Sequence, residues 1–247
     1  MTKKTPQKVA VISDIHSNLE ALMAVLEDIE KEKVDKTFCC GDIIGYGANP
    51  NECIDEIRKR NIPVIMGNHD SAALKLTDIS HFNEIARRAI IWTRDNTTPE
   101  NLKWIEKLPY TINEPPFFIV HSSPKDPQDW NYILTMGDAR LSFQYFEEQI
   151  CFIGHSHQPF FIELQDKNLY CPTQKTIVIK DDCRYLINVG SVGQPRDRNA
   201  NAAYVICDLK NKLIQLKRLS YDIPQAQQKI INAGIPRELA ERIAFGW

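Results

Sequence analysis

The sequence predicts an α/β fold with mixed sheets, and three observations predict it. Short β-branched runs alternate with amphipathic helical patterns in the first part, in the order βαβαβαα and then βαβ. Over residues 160–219 the alternation gives way to successive strand runs, separated by Asp, Asn, Lys, Gly and Pro. Histidines and glycines collect just after strand runs instead of spreading along the chain. The 247 residues contain no Ser/Gly-rich linker, repeat or low-complexity tract, so they are read as one domain. That domain has a core over about 8–222 and a helical tail over 223–247.

Each element has a local reason. Residues 9–12 form a buried strand that ends in Ser13-Asp14-Ile15-His16. Asn18 then caps a helix to about Lys33, with Leu19, Leu22, Met23, Leu26 and Ile29 on one stripe. Residues 37–40 are a second strand, ending in Gly41-Asp42, and 51–60 a helix with Ile54 and Ile57 inward. A third strand is expected over 62–66, ending in Gly67-Asn68-His69-Asp70. Helices follow over 81–96 and 99–108, the second starting on a first-turn proline. Strand Phe117–Val120 ends at His121, a helix is expected over 138–149, and strand Ile150–Ile153 ends in Gly154-His155-Ser156-His157. Strands are then expected over 160–164, 176–180, 185–188, 203–208 and 213–219, and the tail from Pro224 is helical with a break at Gly234-Ile235-Pro236.

Composition excludes several classes. Apolar residues are 43% and charged residues 25%, which excludes wholesale disorder. Thirty basic against thirty-two acidic residues leave a net charge of −2, without the basic excess a duplex-binding protein carries, so nucleic acid is not the expected partner. Apolar stretches run only a few residues, and the basic start is followed by no apolar region of signal-peptide length, so a cytoplasmic chain with no membrane span is expected. Seven cysteines without a Cys-x-x-Cys pair are read as reduced core thiols.

The chemistry lies at the strand ends. Seven of ten glycines and five of six histidines fall there, where open α/β sheets bind ligands. Singly, each motif is weak. Asp14-x-His16 arises by chance, Gly41-Asp42 suits a helix cap, Gly67–Asp70 suits a turn, and His121 suits a satisfied strand end. His155 and His157 are stronger, because residues two apart on an extended backbone point the same way. Together, five strand-end loops carry Asp14, His16, Asp42, Asn68, His121, His155 and His157, with twenty-five residues between His16 and Asp42 and again between Asp42 and Asn68. These N and O ligands suit Mn²⁺, Fe, Ni, Co or Zn²⁺, and seven are about what two adjacent divalent ions need if one carboxylate bridges.

This ordered set resembles the calcineurin-like metallophosphoesterase superfamily. The residues that carry the resemblance are Asp14-Ile15-His16, Gly41-Asp42-Ile43-Ile44-Gly45-Tyr46-Gly47, Gly67-Asn68-His69-Asp70, His121 and Gly154-His155-Ser156-His157, and it extends over residues 8 to about 222. It is most similar to a bacterial group of small phosphodiesterase-like members with Gly-Tyr-Gly-x-x-Pro, here Gly45 to Pro50. Ser122 and Lys125 stand where that group has Gly and Arg, which bears on substrate preference.

The resemblance implies a four-layer sandwich of two mixed β-sheets flanked by helices. It implies one ion held by Asp14, His16, Asp42 and His157, and another held by Asp42, Asn68, His121 and His155. The expected activity is binuclear hydrolysis of phosphate esters, most of all small phosphodiesters or nucleotide-like substrates. A phosphomonoesterase or Ser/Thr protein phosphatase of the same fold is the alternative, and a non-catalytic scaffold the alternative from another class. Two ions would neutralise the ester oxygens, acidify a bridging water and hold attacking and leaving oxygens in line. His69 is the expected general acid, oriented by a carboxylate such as Asp70; a plain turn residue is the other reading. Arg196, with Arg198 as a second candidate, could grip a phosphate oxygen or form a solvated surface pair. Trp130 and Tyr132 either line the rim or pack, and His81 is expected to be an exposed bystander on a helix.

Overall fold

The computed structural model describes residues 5–247. In chain order the elements are β1 (Lys8–Ile12), α1 (Leu19–Glu32), β2 (Lys36–Cys39), α2 (Pro50–Lys59), α3 (Asn68–Ala73), α4 (Glu84–Asn96), α5 (Pro99–Ile105), β3 (Thr111–Glu114), β4 (Phe117–Val120), α6 (Met136–Ser142), β5 (Ile150–Ile153), β6 (Phe160–Gln165), β7 (Asn168–Tyr170), β8 (Thr176–Val178), β9 (Cys183–Asn188), β10 (Ala202–Asp208), β11 (Leu213–Leu219), α7 (Ile223–Asn232) and α8 (Arg237–Ile243).

They build two mixed sheets. One has the order β2-β1-β10-β11-β8, with β1 parallel to β2 and antiparallel to β10. The other has the order β3-β4-β5-β9-β6-β7, with β4, β5 and β9 parallel. Side-chain alternation fixes the layers. Val9 and Val11 of β1 join Phe117, Phe152 and Tyr185 in the core between the sheets. Ala10 and Ile12 face the other way, onto Leu22 and Val25 of α1 and Ile54 of α2. Cys151 and Ile153 of β5 turn outward onto Ala139 of α6 and Phe143. The expected four layers are therefore present.

Three segments differ from the sequence reading. Residues 62–66 are extended but join the sheet through a single bridge, Cys39 to Val64, because Pro63 offers no N–H and the Met66 N–H is taken by the Pro109 carbonyl. Gly67–Asp70 is the start of α3 and not a plain turn. The helix expected over 138–149 is α6: it starts earlier because Thr135 and Asp138 form a capping box at its N-terminus, and it ends at Ser142, after which the N–H groups of Gln144 and Tyr145 turn back onto the carbonyls of Leu141 and Ser142. Two strands, β3 and β7, are additional to those the sequence predicts.

Six of the seven cysteines are buried, Cys171 is exposed, and none is in a disulfide. Among the described residues no helix is long and apolar enough to cross a membrane.

Candidate metal centre

The loops after β1, β2, β4 and β5 and the start of α3 bring all seven candidate ligands into one buried cluster. Five of them sit at positive φ: Asp14 (52°), His16 (49°), Asp42 (53°), His155 (65°) and His157 (58°). Such a conformation costs of order 1–3 kcal/mol per residue and persists only where the surroundings enforce it. Here the surroundings are specific. The Asp14 N–H donates to the Gly41 carbonyl and the His16 N–H to the Asp42 carbonyl, each at 3.0 Å, tying the first loop to the second. Gly67 and Gly154 lie so close to the Asp42 and Asp14 carboxylates that any Cβ there would collide with them.

The two carboxylates are held in the same way. Asp14 Oδ2 accepts from the His155 N–H at 3.0 Å, and Asp42 Oδ1 accepts from the His69 N–H at 2.8 Å. Their other oxygens, Asp14 Oδ1 and Asp42 Oδ2, are buried without a hydrogen-bond partner and face imidazoles. Asp14 Oδ1 is 3.2 Å from His157 Nε2 and 3.7 Å from His16 Nε2. Asp42 Oδ2 is 3.6 Å from His16 Nε2 and 3.5 Å from His121 Nε2, so it faces both halves of the cluster.

The imidazoles are set to be acceptors. Nδ1 of His16, His121 and His157 faces the carbonyls of Ile44 (3.2 Å), Cys40 (2.7 Å) and Gln194 (2.6 Å). A carbonyl only accepts, so each Nδ1 carries the hydrogen and each Nε2 keeps its lone pair. His16 and His157 then aim two lone pairs at each other across 3.0 Å. That is the spacing of two imidazole nitrogens each about 2.0–2.1 Å from a shared ion at an angle near 90°. His121 Nε2 faces Asn68 Oδ1 at 3.1 Å in the same manner. His155 Nε2 is also buried and unpartnered.

Each buried polar atom left unpaired costs about 1–3 kcal/mol, against a whole-domain stability of about 5–15 kcal/mol. A cluster of orphaned acceptors is therefore a poor resting arrangement and a good cation site. Burial holds His16, His69 and His155 well below the usual histidine pKa, and shifts His121 and His157 down, so all five hold a proton less readily than a free imidazole. Burial raises the Asp14 carboxyl, but coupling to His157, and then to His121 and His16, pulls it below the carboxylate range wherever those rings carry charge. Burial and the negative charges of Asp70 and Asp14 raise Asp42 well above the carboxylate range, a penalty a divalent ion would reverse. The ligand atoms of Asp14, His16 and His157 lie within 4.8 Å of one another, as do those of Asp14, Asp42 and His121. The donor set fits divalent metal ions.

Comparison with known proteins points the same way. Residues 8–212 match the family model of the calcineurin-like phosphoesterase superfamily domain. This chain belongs to that superfamily.

An uncharacterized protein of Methanocaldococcus jannaschii is 43% identical over 244 residues, which is 96% of this chain and 98% of the relative. The crystal structure of a metallophosphoesterase from Sphaerobacter thermophilus is 36% identical, covers 98% of this chain and 99% of its own, and superposes with a TM-score of 0.85. A Pyrococcus horikoshii hypothetical protein shares the fold at 19% identity, with a TM-score of 0.80 over 97% of this chain and 98% of its own. As a calcineurin-like phosphoesterase, the chain is a phosphate-ester hydrolase.

The phosphoesterase centre opens into a cavity of about 430 Å³, which Asn68, His69 and His155 help to line. Tyr46, from the Gly-Tyr-Gly segment, packs its ring against His16 (4.6 Å) and His69 (4.4 Å), and its hydroxyl accepts from Arg196 at 3.3 Å. The sequence signal for Tyr46 is its place between two glycines in a strand-end loop. Tyr132 stacks on His155 at 4.0 Å and Trp130 meets His121 edge-on at 5.9 Å, so both rings line the site and brace ligands.

Other expectations need correction. The Asp70 carboxylate does not reach the His69 ring. Asp70 accepts from the Gly67 N–H at 3.1 Å and the Ile44 N–H at 3.2 Å, pinning α3 to the Asp42 loop, while His69 Nδ1 has no partner. Arg196 lines the cavity, whereas Arg198 is exposed and absent from its lining. His81 is exposed as expected, but it precedes α4 and stands on the cavity wall. Lys125 lies over the Tyr145 ring at 6.0 Å.

Proposed function

We propose that this centre holds two divalent ions and hydrolyses small phosphodiesters or nucleotide-like phosphate esters. Asp14, His16, Asp42 and His157 would hold one ion, and Asp42, Asn68, His121 and His155 the other, with Mn²⁺, Fe, Ni, Co or Zn²⁺ as candidates. The observation that carries this reading is the orientation of Asp42: Oδ1 is anchored by a backbone N–H, and Oδ2 is free and nearly equidistant from His16 and His121. When bound, the ions supply charge neutralisation for the ester oxygens and a more acidic water.

The chain's own groups do the rest. Arg196, held by Gln194 Oε1 at 2.9 Å and by Tyr46, presents its guanidinium to a non-bridging phosphate oxygen. His69 protonates the leaving oxygen from its cavity-facing ring. Burial and the Arg196 charge hold His69 neutral in the resting site, and an anionic ester offsets Arg196, so the proton affinity of His69 rises as substrate arrives. Asp70 keeps His69 and Asn68 in register with the Asp42 loop. No membrane partner enters this reading, and the reaction belongs in the cytoplasm.

The test is a substrate panel with metal-reconstituted protein: an aryl phosphodiester, an aryl phosphomonoester, a cyclic nucleotide, a dinucleoside polyphosphate and a phosphopeptide. The expected result is turnover of the diester or the nucleotides above the phosphopeptide. Turnover of the phosphopeptide alone would replace this reading with a protein phosphatase.

A further inference from the structure

The C-terminal tail reaches the centre. Ile230 of α7, Ile235, and Leu239 and Ile243 of α8 pack with Tyr46 and with Ala86 and Ala89 of α4. After α8 the chain is latched to the loop that carries Arg196: the Arg198 N–H donates to the Gly246 carbonyl at 2.9 Å. Gly246 takes φ of 68°, and a Cβ there would press on the Asn199 backbone. The last turn of α8 is thereby fixed beside the cavity, and Arg242 lines it together with Arg196 and His69.

Arg242 is half-buried and has no side-chain hydrogen bond or ion pair among the described residues. Its neighbour Arg237, by contrast, is paired with Glu241 at 2.9 Å. The groups that act on the Arg242 charge are Arg196, which repels it, and Tyr46. Arg196 and Arg242 both line the cavity, and among the described residues neither makes a hydrogen bond or ion pair to a carboxylate, so the two guanidiniums form a positive locus. Phe82, Trp130 and Tyr132 supply aromatic faces around the same cavity, which is larger than a single phosphate requires.

We infer that Arg242 is a specificity residue that grips a second anionic group beyond the scissile phosphate, so the preferred substrates are nucleoside di- or polyphosphates and their esters. This rests on the phosphoesterase reading of the same site, with Arg196 on the scissile phosphate. Arg242 reads the next phosphate and the aromatic walls take the base. The tail thus completes the substrate site.

The experiment titrates adenosine 5′-monophosphate and a non-hydrolysable adenosine 5′-diphosphate analogue into metal-loaded protein by calorimetry, for wild type, Arg242→Gln, Arg242→Lys and Arg237→Gln. Any extra affinity the diphosphate draws from the ions is common to all four proteins, so the diphosphate-to-monophosphate affinity ratio isolates the side chain. We expect wild type to favour the diphosphate, Arg242→Gln to lower the ratio ten-fold or more, Arg242→Lys to retain part of it, and Arg237→Gln to keep it. An unchanged ratio in Arg242→Gln, or an equal loss of both affinities, overturns the inference. A nitrophenyl phosphodiester is assayed in parallel with wild type. Turnover of that ester with an unchanged ratio removes only the Arg242 assignment, whereas no turnover of any ester removes the phosphoesterase reading and this inference with it.

Discussion

His16 Nε2 stands 3.0 Å from His157 Nε2, although both rings already spend their Nδ1 hydrogens on the carbonyls of Ile44 and Gln194. Two lone pairs at that distance repel unless a cation or proton lies between them. Asp14 Oδ1 is within 3.7 Å of both. The arrangement joins residues 141 positions apart, one in the loop after β1 and the other in the loop after β5.

Chelation is the first consequence. A site of imidazole, carboxylate and amide donors should lose activity after prolonged incubation with excess chelator. Mn²⁺ or a similar first-row ion should restore it better than Mg²⁺, which imidazole suits poorly. Full activity in excess chelator would rule out an ion-dependent reaction.

Asp42→Asn removes the charge that faces both halves of the cluster. Turnover should nearly vanish and bound metal should fall. Without metal the variant should melt at or above the wild-type temperature, because the Asp42 charge is buried beside Asp70 and Asp14 and repelled by both. Thermal melts with and without Mn²⁺ check this. A metal-dependent rise in melting temperature equal to that of wild type would show that Asp42 does not bridge.

His69→Asn should keep both metals and slow turnover about 10²–10⁴-fold on an ester with a poor leaving group. The defect should shrink on a nitrophenyl ester, whose oxygen leaves without a proton. Equal losses on both esters with metals retained would move His69 from proton transfer to orienting the phosphate.

Metal-free protein should lose stability as pH falls through 6.5. His16, His69, His121, His155 and His157 all have folded pKa values below that unfolded value. The unfolded chain therefore binds protons first, and stability present above 6.5 is lost progressively below it. Asp70, raised to about 7 by burial, and Asp42 act in the opposite sense between 3.8 and their folded values. Five imidazoles outweigh two carboxyls, so the melting temperature should drop between pH 6.5 and 5. A flat profile would show that the imidazoles are not buried as described.

Most of this centre was legible because its signals are local. Asp14, His16 and Asp42 each follow a short strand, and β1 and β2 form where the largely buried runs 9–12 and 37–40 stand. The Asp70 assignment failed because adjacency in sequence says nothing about direction on a helix. Residue 70 is the third residue of α3, where a carboxylate turns back to cap its own N-terminus. Arg242 is not legible in the sequence because its meaning depends on the tail placing α8 at the cavity that Arg196 also lines, a juxtaposition across 46 positions that no local pattern encodes. Strand β3 was missed because it has only four residues, none fully buried, and so lacks an alternation to read.

The most direct test of the two-ion account is a crystal of Mn²⁺-loaded protein measured at the manganese absorption edge. The account predicts two anomalous peaks, one against Asp14, His16 and His157 and one against Asn68, His121 and His155, with the Asp42 carboxylate between them. A single peak at saturating Mn²⁺, or two peaks neither of which touches Asp42, would contradict it.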